Sequence, residues 1–380
     1  MLEAFCMIVR SRPSASQAGV LLITAQMQDA PSGGRALLSR LIHDAMFEIF
    51  GKLLVVFELQ PRSPAGIRAL TSAFRGHIDG IDDSMIERVM RVIREMSIGK
   101  VLIDGSNLGT LAAVIKTQCP GVEISTFLHN CEARFFFGAF RQHRSLWSLG
   151  VLVANYFAER RAVRSSDKLI CLSERDSGLL RTLYGRSATH ISAMAMRDQL
   201  PSPLTDAPLT PEYGKYALFV GGTFYANQQG IEWFVEHVVR RVAIKTYVVG
   251  KGFEQFTERL QRNGNVEVVG AVECLAPWYL GAHFVIAPIF DGSGMKTKVA
   301  EAMMFGKRVV GTPEAFSGYE PVADRVGAIC ETATQFVSAV EREAERPFVG
   351  IDPELRSIYE ERYSFNAACD RLEKILDSHK

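Results

Sequence analysis

Residues 285–312, VIAPIFDGSGMKTKVAEAMMFGKRVVGT, pass from an apolar run, Val285 to Ile289, through a glycine-serine-glycine loop, Gly292 to Gly294, into a segment of helical period. Val299, Ala300, Met303 and Met304 recur at helical spacing, Gly306 supplies a helix stop, and Arg308 to Gly311 resume an extended apolar pattern. A helix that opens behind glycines points unpaired N–H groups and the positive end of its dipole into the loop, which favours an anion such as phosphate. Lys296 and Lys298 add charge of the matching sign and argue against a neutral ligand. Glu301, one turn on from Lys298, shares its helix face and offers two acceptors, which suits a diol such as a ribose. The competing account of Lys298 and Glu301 is an exposed i,i+3 pair contributing a few tenths of a kcal/mol.

The same rhythm runs through the rest of the chain. Val20 to Thr24 reads as a strand and leads through Pro31-Ser32-Gly33-Gly34 into the stripe Leu37, Leu38, Leu41, Ile42, Ala45, Met46 and Ile49. Leu53–Leu59, Val101–Ile103, Ile124–Leu128 and Lys168–Leu172 are further strands, residues 60–80 read as a surface loop, and Met85–Met96 and Leu108–Lys116 are helical. Two polar clusters follow strands, Asp104-Gly105-Ser106-Asn107 and His129-Asn130-Cys131-Glu132. Open parallel sheets bind ligands at that end of their strands, so His129 is either a structural histidine or a general base or sugar-hydroxyl ligand. Ser173 opens the next helix, with Asp176 at the capping-box position.

Pro201, Pro203, Pro208 and Pro211 mark a linker, after which the alternation restarts. Tyr216–Val220 is followed by Gly221-Gly222-Thr223 and a helix from Asn227 to Val239 with Asn227 as its cap, and Thr246–Val249 by Gly250-Lys251-Gly252. Residues 333–346 and 353–377 are helical. The pattern predicts an α/β fold with two doubly wound parallel sheets: a first domain over 1–200, a linker at 201–213, a second domain over 214–355, and a C-terminal helix at 356–380 packing back on the first.

A chain of 380 residues suits two domains, and 47% hydrophobic with 22% charged residues is a soluble globular balance. A net charge of +1 gives no global case for nucleic-acid binding. The 7 cysteines show neither a CxxC pair nor metal-ligand spacing, which points to free thiols in a reducing compartment. No apolar run reaches the roughly 18 residues needed to span a bilayer, and MLEAFCMIV followed by Arg10 and Arg12 makes a poor signal peptide, so a cytoplasmic protein is expected. Residues 134–147 mix Phe135, Phe136, Phe137, Phe140 and Trp147 with Arg134, Arg141 and Arg144. They are either a core helix with a solvated basic loop or a peripheral membrane contact on an anionic leaflet.

Three passages together resemble a GT-B glycosyltransferase of the large retaining family four, the glycosyl transferases group 1. FVGGTFYANQQGIEWF at 219–234 is similar to that family's first C-domain strand, glycine loop and helix, and SSDKLICLSERD at 165–176 to its last N-domain strand. IAPIFDGSGMKTKVAEAMMFGKRVVGT at 286–312 resembles its donor-binding signature, with Gly292, Gly294, Lys298, Glu301, Ala302 and Gly306 in register. The resemblance implies two Rossmann-like domains facing a cleft that takes a UDP- or GDP-linked nucleotide sugar as substrate, with no cofactor and no metal. It implies that Glu301 accepts from the ribose, that Ser293, Gly294, Met295, Lys296, Thr297 and Lys298 surround the diphosphate, and that Gly221 and Gly222 let backbone approach it. Lys251 would add charge, Gly33 and Gly34 would close from the first domain, and His129 would sit near the donor sugar. Glu301, Lys298 and His129 are then the catalytic candidates. The acceptor would be a saccharide or a lipid-linked oligosaccharide in polysaccharide or glycoconjugate biosynthesis, with retention of anomeric configuration.

Two departures from that pattern bear on the donor sugar. Ser293 stands where many members carry a glutamate, and Thr223 with Asn227 or Gln228 stands where many carry an arginine and a lysine. A nucleotide-sugar epimerase of the same fold is an alternative, with Glu132 and Asp104 placed for proton transfer. A nucleotide-sugar-binding module without catalysis is another. A dinucleotide dehydrogenase is disfavoured, since no G-x-G-x-x-G follows a strand.

Overall fold

The computed structural model describes residues 18–27, 34–60, 67–201, 214–262, 264–292 and 294–377. The chain divides into two compact units, the first made of residues 1–194 and 368–380 and the second of residues 195–367. Residues 1–17 and, apart from Pro201, nearly all of the proline-rich linker fall outside the described residues.

Unit 1 is built on a six-stranded parallel sheet. Its strands are β1 (Gly19–Ala25), β2 (Leu54–Leu59), β3 (Ile98–Asp104), β4 (Glu123–Leu128), β5 (Lys168–Cys171) and β6 (His190–Ile191), in the spatial order β2-β1-β3-β4-β5-β6. β1 reads GVLLITA and is buried from Gly19 through Thr24, as expected of a parallel strand with helices on both faces. Leu21, Ile23, Val101, Ile103 and Ile124 form one face of the core with Met85, Val89 and Ile93 of the helix Asp83–Glu95. Each fully buried side chain of this kind contributes about 1.5–3 kcal/mol relative to exposure.

Unit 2 repeats the architecture with β7 (Tyr216–Val220), β8 (Lys245–Val249), β9 (Val266–Gly270), β10 (Phe284–Ala287), β11 (Val309–Gly311) and β12 (Gly327–Ile329), in the order β12-β11-β10-β7-β8-β9. Phe219, Phe234, Phe284 and Phe336 fill its core. The first strand of each sheet has the strands that directly follow it in the chain on one side, β2 or β8 and β9, and later ones on the other, so the order reverses between β1 and β3 and between β7 and β10. Crevices open at such reversals, outside the carboxyl ends of the strands.

Three readings of the sequence are corrected. Residues 60–80 contain a helix, Ile67–Phe74, packed on the helix Leu146–Ser165, where Gly150 leaves room for Leu70. Its short apolar repeat was outweighed in the sequence by flanking glycine and proline. Where a basic loop was expected within 134–147, the chain is helical on both sides of a short break: the helices Glu132–His143 and Leu146–Ser165 are separated at Arg144, in left-handed conformation, and the second is capped by Ser145.

The stretch 353–377 is likewise two helices, Pro353–Arg362 and Phe365–Asp377. The first stays in unit 2, where Arg356 donates to Asp198 and to the carbonyl of Met304. The second ends in unit 1, where Lys168, buried in β5, donates to the carbonyl of Ile375 at 2.9 Å and Lys100 to that of Leu376 at 2.5 Å. Among the described residues no helix is long and apolar enough to cross a membrane, and no disulfide joins the cysteines.

Candidate functional site

The switch point of unit 2 gathers the glycine loops. β7 ends at Val220, and Gly221 turns the chain at φ +157°, its N–H bonded to the carbonyl of Val249 at 3.0 Å. The loop after β8 lies against it so closely that a Cβ on Gly250 would stand 1.8 Å from the Gly221 oxygen, a contact only glycine permits. The following helix begins two residues earlier than expected, at Tyr225, so Asn227 is inside the helix and not its cap. Its side chain instead spans the site: Nδ2 donates to the Gly222 carbonyl at 2.9 Å and Oδ1 accepts from Lys298 Nζ at 2.8 Å. Lys251 is exposed in the turn after β8, with its carbonyl next to Gly222.

β10 delivers the second half. Gly292 and Gly294 adopt φ +144° and +65°, and the helix Thr297–Met304 starts directly behind them with Lys296 as its cap residue and Thr297 as its first residue. Met295 is buried beneath Gly318. The Lys296 amine turns back to the Gly294 carbonyl at 2.9 Å and pairs with Glu314 at 2.8 Å. Gly306 ends the helix at φ +61°, where a Cβ would strike the backbone of Asp352.

Lys298 is 6% exposed and sits 4.4 Å from the centre of the Phe219 ring. Burial pushes its amine down to about 7, with Glu301 pulling it up and Lys296 adding to the fall. Glu301 is partly buried, and its Oε2 accepts from the phenol of Tyr279 at 2.7 Å. Burial raises its carboxyl, against the pull of Tyr279 and Lys298. Lys298 and Glu301, both described, are therefore neither an exposed pair nor each other's hydrogen-bond partners. A surface salt bridge does not account for them.

The switch point of unit 1 carries the other polar cluster. Asp104 at the end of β3 is 3% exposed and accepts from Thr24 Oγ1 at the end of β1 at 2.7 Å and from His129 Nε2 beyond β4 at 2.5 Å. Burial alone would raise the Asp104 carboxyl, but His129, Ser39 and Thr24 together hold it below its ordinary value. His129 is 8% exposed, and its Nδ1 is buried with no hydrogen-bond partner among the described residues. Glu132 opens the helix Glu132–His143 and is also 8% exposed; burial, helped by Glu159 and Asp79 and opposed by Arg35, raises its carboxyl to about 7. Arg35 pairs with Asp79 at 2.5 Å in the first turn of the helix Gly34–Phe50, and Gly34 is exposed at its start.

What the sequence did not reveal is Glu159. It is fully buried and collects hydrogen bonds from Ser106 Oγ at 2.9 Å, the backbone N–H groups of Glu132 and Ala133 at 2.9 and 3.1 Å, and the phenol of Tyr184 at 2.6 Å. A carboxylate receiving backbone N–H groups at a helix start fixes the loop that carries His129. Tyr279, Glu314 and the bridging role of Asn227 were equally hidden. In each case the partner lies on another element, so no local spacing signals it. Gly33 and Ser293 lie outside the described residues. Among the described residues no three His, Cys, Asp or Glu side chains cluster as a metal site would need.

The arrangement in unit 2 offers a glycine-lined anion cradle, a buried amine and an acid able to accept from hydroxyls. Residues 214–345 match a protein-family model described as Glycosyl transferases group 1. No curated protein matches the sequence. Among solved structures, a sucrose-phosphate synthase from Thermosynechococcus elongatus is similar at a TM-score of 0.70 and 13% identity, over 94% of this chain and 98% of the other. HepE of Anabaena in complex with UDP-glucose is similar at 0.62 and 13% identity, over 95% of this chain and 100% of the other. The lipopolysaccharide outer core galactosyltransferase WaaB is similar at 0.64 and 13% identity, over 94% and 98%. The chain thus has the GT-B fold of these structures, and its residues 214–345 are similar in sequence to the glycosyl transferases group 1.

Proposed function

We propose that this protein transfers a sugar from a nucleotide-sugar donor to a hydroxyl of a saccharide or lipid-linked acceptor. The observation that carries the reading is the placement of Lys298 and Glu301, one turn apart, on the helix that opens behind Gly292 and Gly294 at the switch point of the unit 2 sheet. The second oxygen of Glu301, unpartnered among the described residues, is available to ribose hydroxyls, since the other is held by Tyr279. The helix start and the Lys298 amine are placed to stabilise negative charge as it develops on a departing diphosphate, a contribution that needs no protein nucleophile. In the proposed step the bond from the sugar C1 to the diphosphate oxygen breaks and a bond from C1 to the acceptor oxygen forms on the same face. The acceptor proton passes to the departing diphosphate, and configuration is retained.

The complex of HepE with UDP-glucose supports a UDP-linked donor as the first to try, with a GDP-linked one beside it. On unit 1, His129 Nδ1 and the Glu132 carboxyl offer polar groups suited to saccharide hydroxyls. Leu146 at 88% exposure and Trp147 at 46%, beside exposed Arg141 and Arg144, support a peripheral approach to an anionic leaflet and hence to a lipid-linked acceptor.

The test is calorimetry of the purified chain with UDP, GDP, ADP and NAD, followed by assays of donor hydrolysis and of transfer to acceptor extracts. Binding of a nucleoside diphosphate with turnover of the matching nucleotide sugar is the expected result. Tight NAD binding without nucleoside diphosphate binding would overturn the reading. Binding without turnover would replace it with a nucleotide-sugar-binding module.

A further inference from the structure

Lys298 is a buried amine with no carboxylate in hydrogen-bond contact among the described residues. Its single hydrogen-bond acceptor among the described residues is the neutral amide oxygen of Asn227, and its other neighbour is the face of Phe219. The helix Pro353–Arg362, packed on the helix Thr297–Met304, carries Arg356, which is bonded to Asp198 and to the carbonyl of Met304. β7 and the helix Tyr225–His237 contribute Phe219 and Asn227, both uncharged. Its own helix contributes Glu301, whose carboxyl is bonded to Tyr279 of the helix Ala276–Gly281, and Lys296, which pairs with Glu314. A lone buried ammonium is costly without a counter-charge in contact, so the free site favours the neutral amine. Its depressed titration, at about 7, agrees with that geometry.

The Asn227 amide is fixed at both ends. Gly222 presents a carbonyl, which accepts only, so the amide cannot turn over without losing that bond, and its oxygen is left facing Lys298. The amide therefore holds the Gly222 loop and the amine in one arrangement before any ligand is present.

We propose that Asn227 is a positioning residue for the diphosphate of the donor and that the Lys298 amine gains a proton as the diphosphate arrives. The proposal rests on the donor-binding reading above. The incoming diphosphate supplies the missing counter-charge, one proton moves from solvent to Nζ, and the ammonium then donates both to the diphosphate and to Asn227.

The experiment is calorimetry with UDP-glucose in buffers of differing ionisation heat. Both phosphates of this probe are esterified and do not titrate near neutrality, so any proton gained belongs to the protein. About one proton per UDP-glucose is expected at pH 8, falling toward none at pH 6, and affinity should decline by up to about tenfold per pH unit above 7. Glu132 and Lys307 also titrate near 7, so Lys298→Arg assigns the proton: the guanidinium is always charged, and whatever UDP-glucose affinity the variant retains should come with no gain. Asn227→Asp should likewise abolish the gain, because its carboxylate keeps the amine charged beforehand. UDP-glucose binding by the wild-type chain without buffer dependence would overturn the proposal. So would an unchanged proton gain in Lys298→Arg or Asn227→Asp. The wild-type arm needs no substitution, so a variant that fails to fold leaves the test standing. Failure of the chain to bind UDP-glucose and GDP-mannose at all would sink the donor reading itself, a separate result.

Discussion

The phenol of Tyr279 donates a 2.7 Å hydrogen bond to Oε2 of Glu301 while its ring stacks on Phe305 at 4.9 Å, so the acid is aimed by a neighbouring helix and not by the lysine one turn before it. That arrangement leaves one carboxylate oxygen for a ligand.

Removing the phenol leaves a buried acceptor unpaired. Tyr279→Phe should lower stability by about 1–3 kcal/mol and weaken donor binding, whereas Glu301→Ala should abolish donor binding while the fold survives. Thermal melts and calorimetry with UDP-glucose separate the two effects. A Glu301→Ala chain that binds the donor normally would remove Glu301 from the site.

Glu159 should behave as a structural hub. Glu159→Ala strands the N–H groups of Glu132 and Ala133 and the hydroxyls of Ser106 and Tyr184, and should cost roughly 3–5 kcal/mol in urea unfolding. Glu159→Gln keeps one carbonyl acceptor and should cost less. Equal losses in the two variants would show that neither the side-chain volume nor a single carbonyl acceptor contributes, contrary to this expectation.

Glu132 makes stability depend on pH with a defined sign. Its folded value, about 7, lies above its unfolded value near 4.5, so its contribution is fully present below pH 4.5 and is lost as pH rises through about 7. Glu132→Gln should therefore match the wild type at pH 4.5 and exceed it at pH 8, by at most about 3 kcal/mol. Chemical unfolding at the two pH values checks this, and a variant less stable at pH 8 than the wild type would contradict it.

The exposed pair Leu146 and Trp147 can be tested without disturbing a core. Replacing both by serine should change stability by no more than about 0.5 kcal/mol but reduce flotation with anionic vesicles. If the wild-type chain does not float with such vesicles, the surface is not a membrane contact.

The alternation of strands and helices, the two-unit division and the glycine loops at strand ends are all legible in the chain, because they rest on local period and on backbone freedom. The stretch 285–312 already showed an anion-favouring helix start and placed Lys298 and Glu301 on one face. Helix limits were less legible: the cap at Asn227 and the loop at 60–80 were misread because packing, not propensity, settled them. The tertiary structure alone decided what Lys298 and Glu301 touch. Burial against Phe219, the bond to Asn227 and the bond to Tyr279 join residues 79, 71 and 22 positions apart, and they turn an ordinary charged pair into a shielded amine and an aimed acid. Such contacts arise only when separate strands bring their loops to one edge of the sheet, and the low dielectric they create there is a property of the folded interior that no run of residues carries by itself.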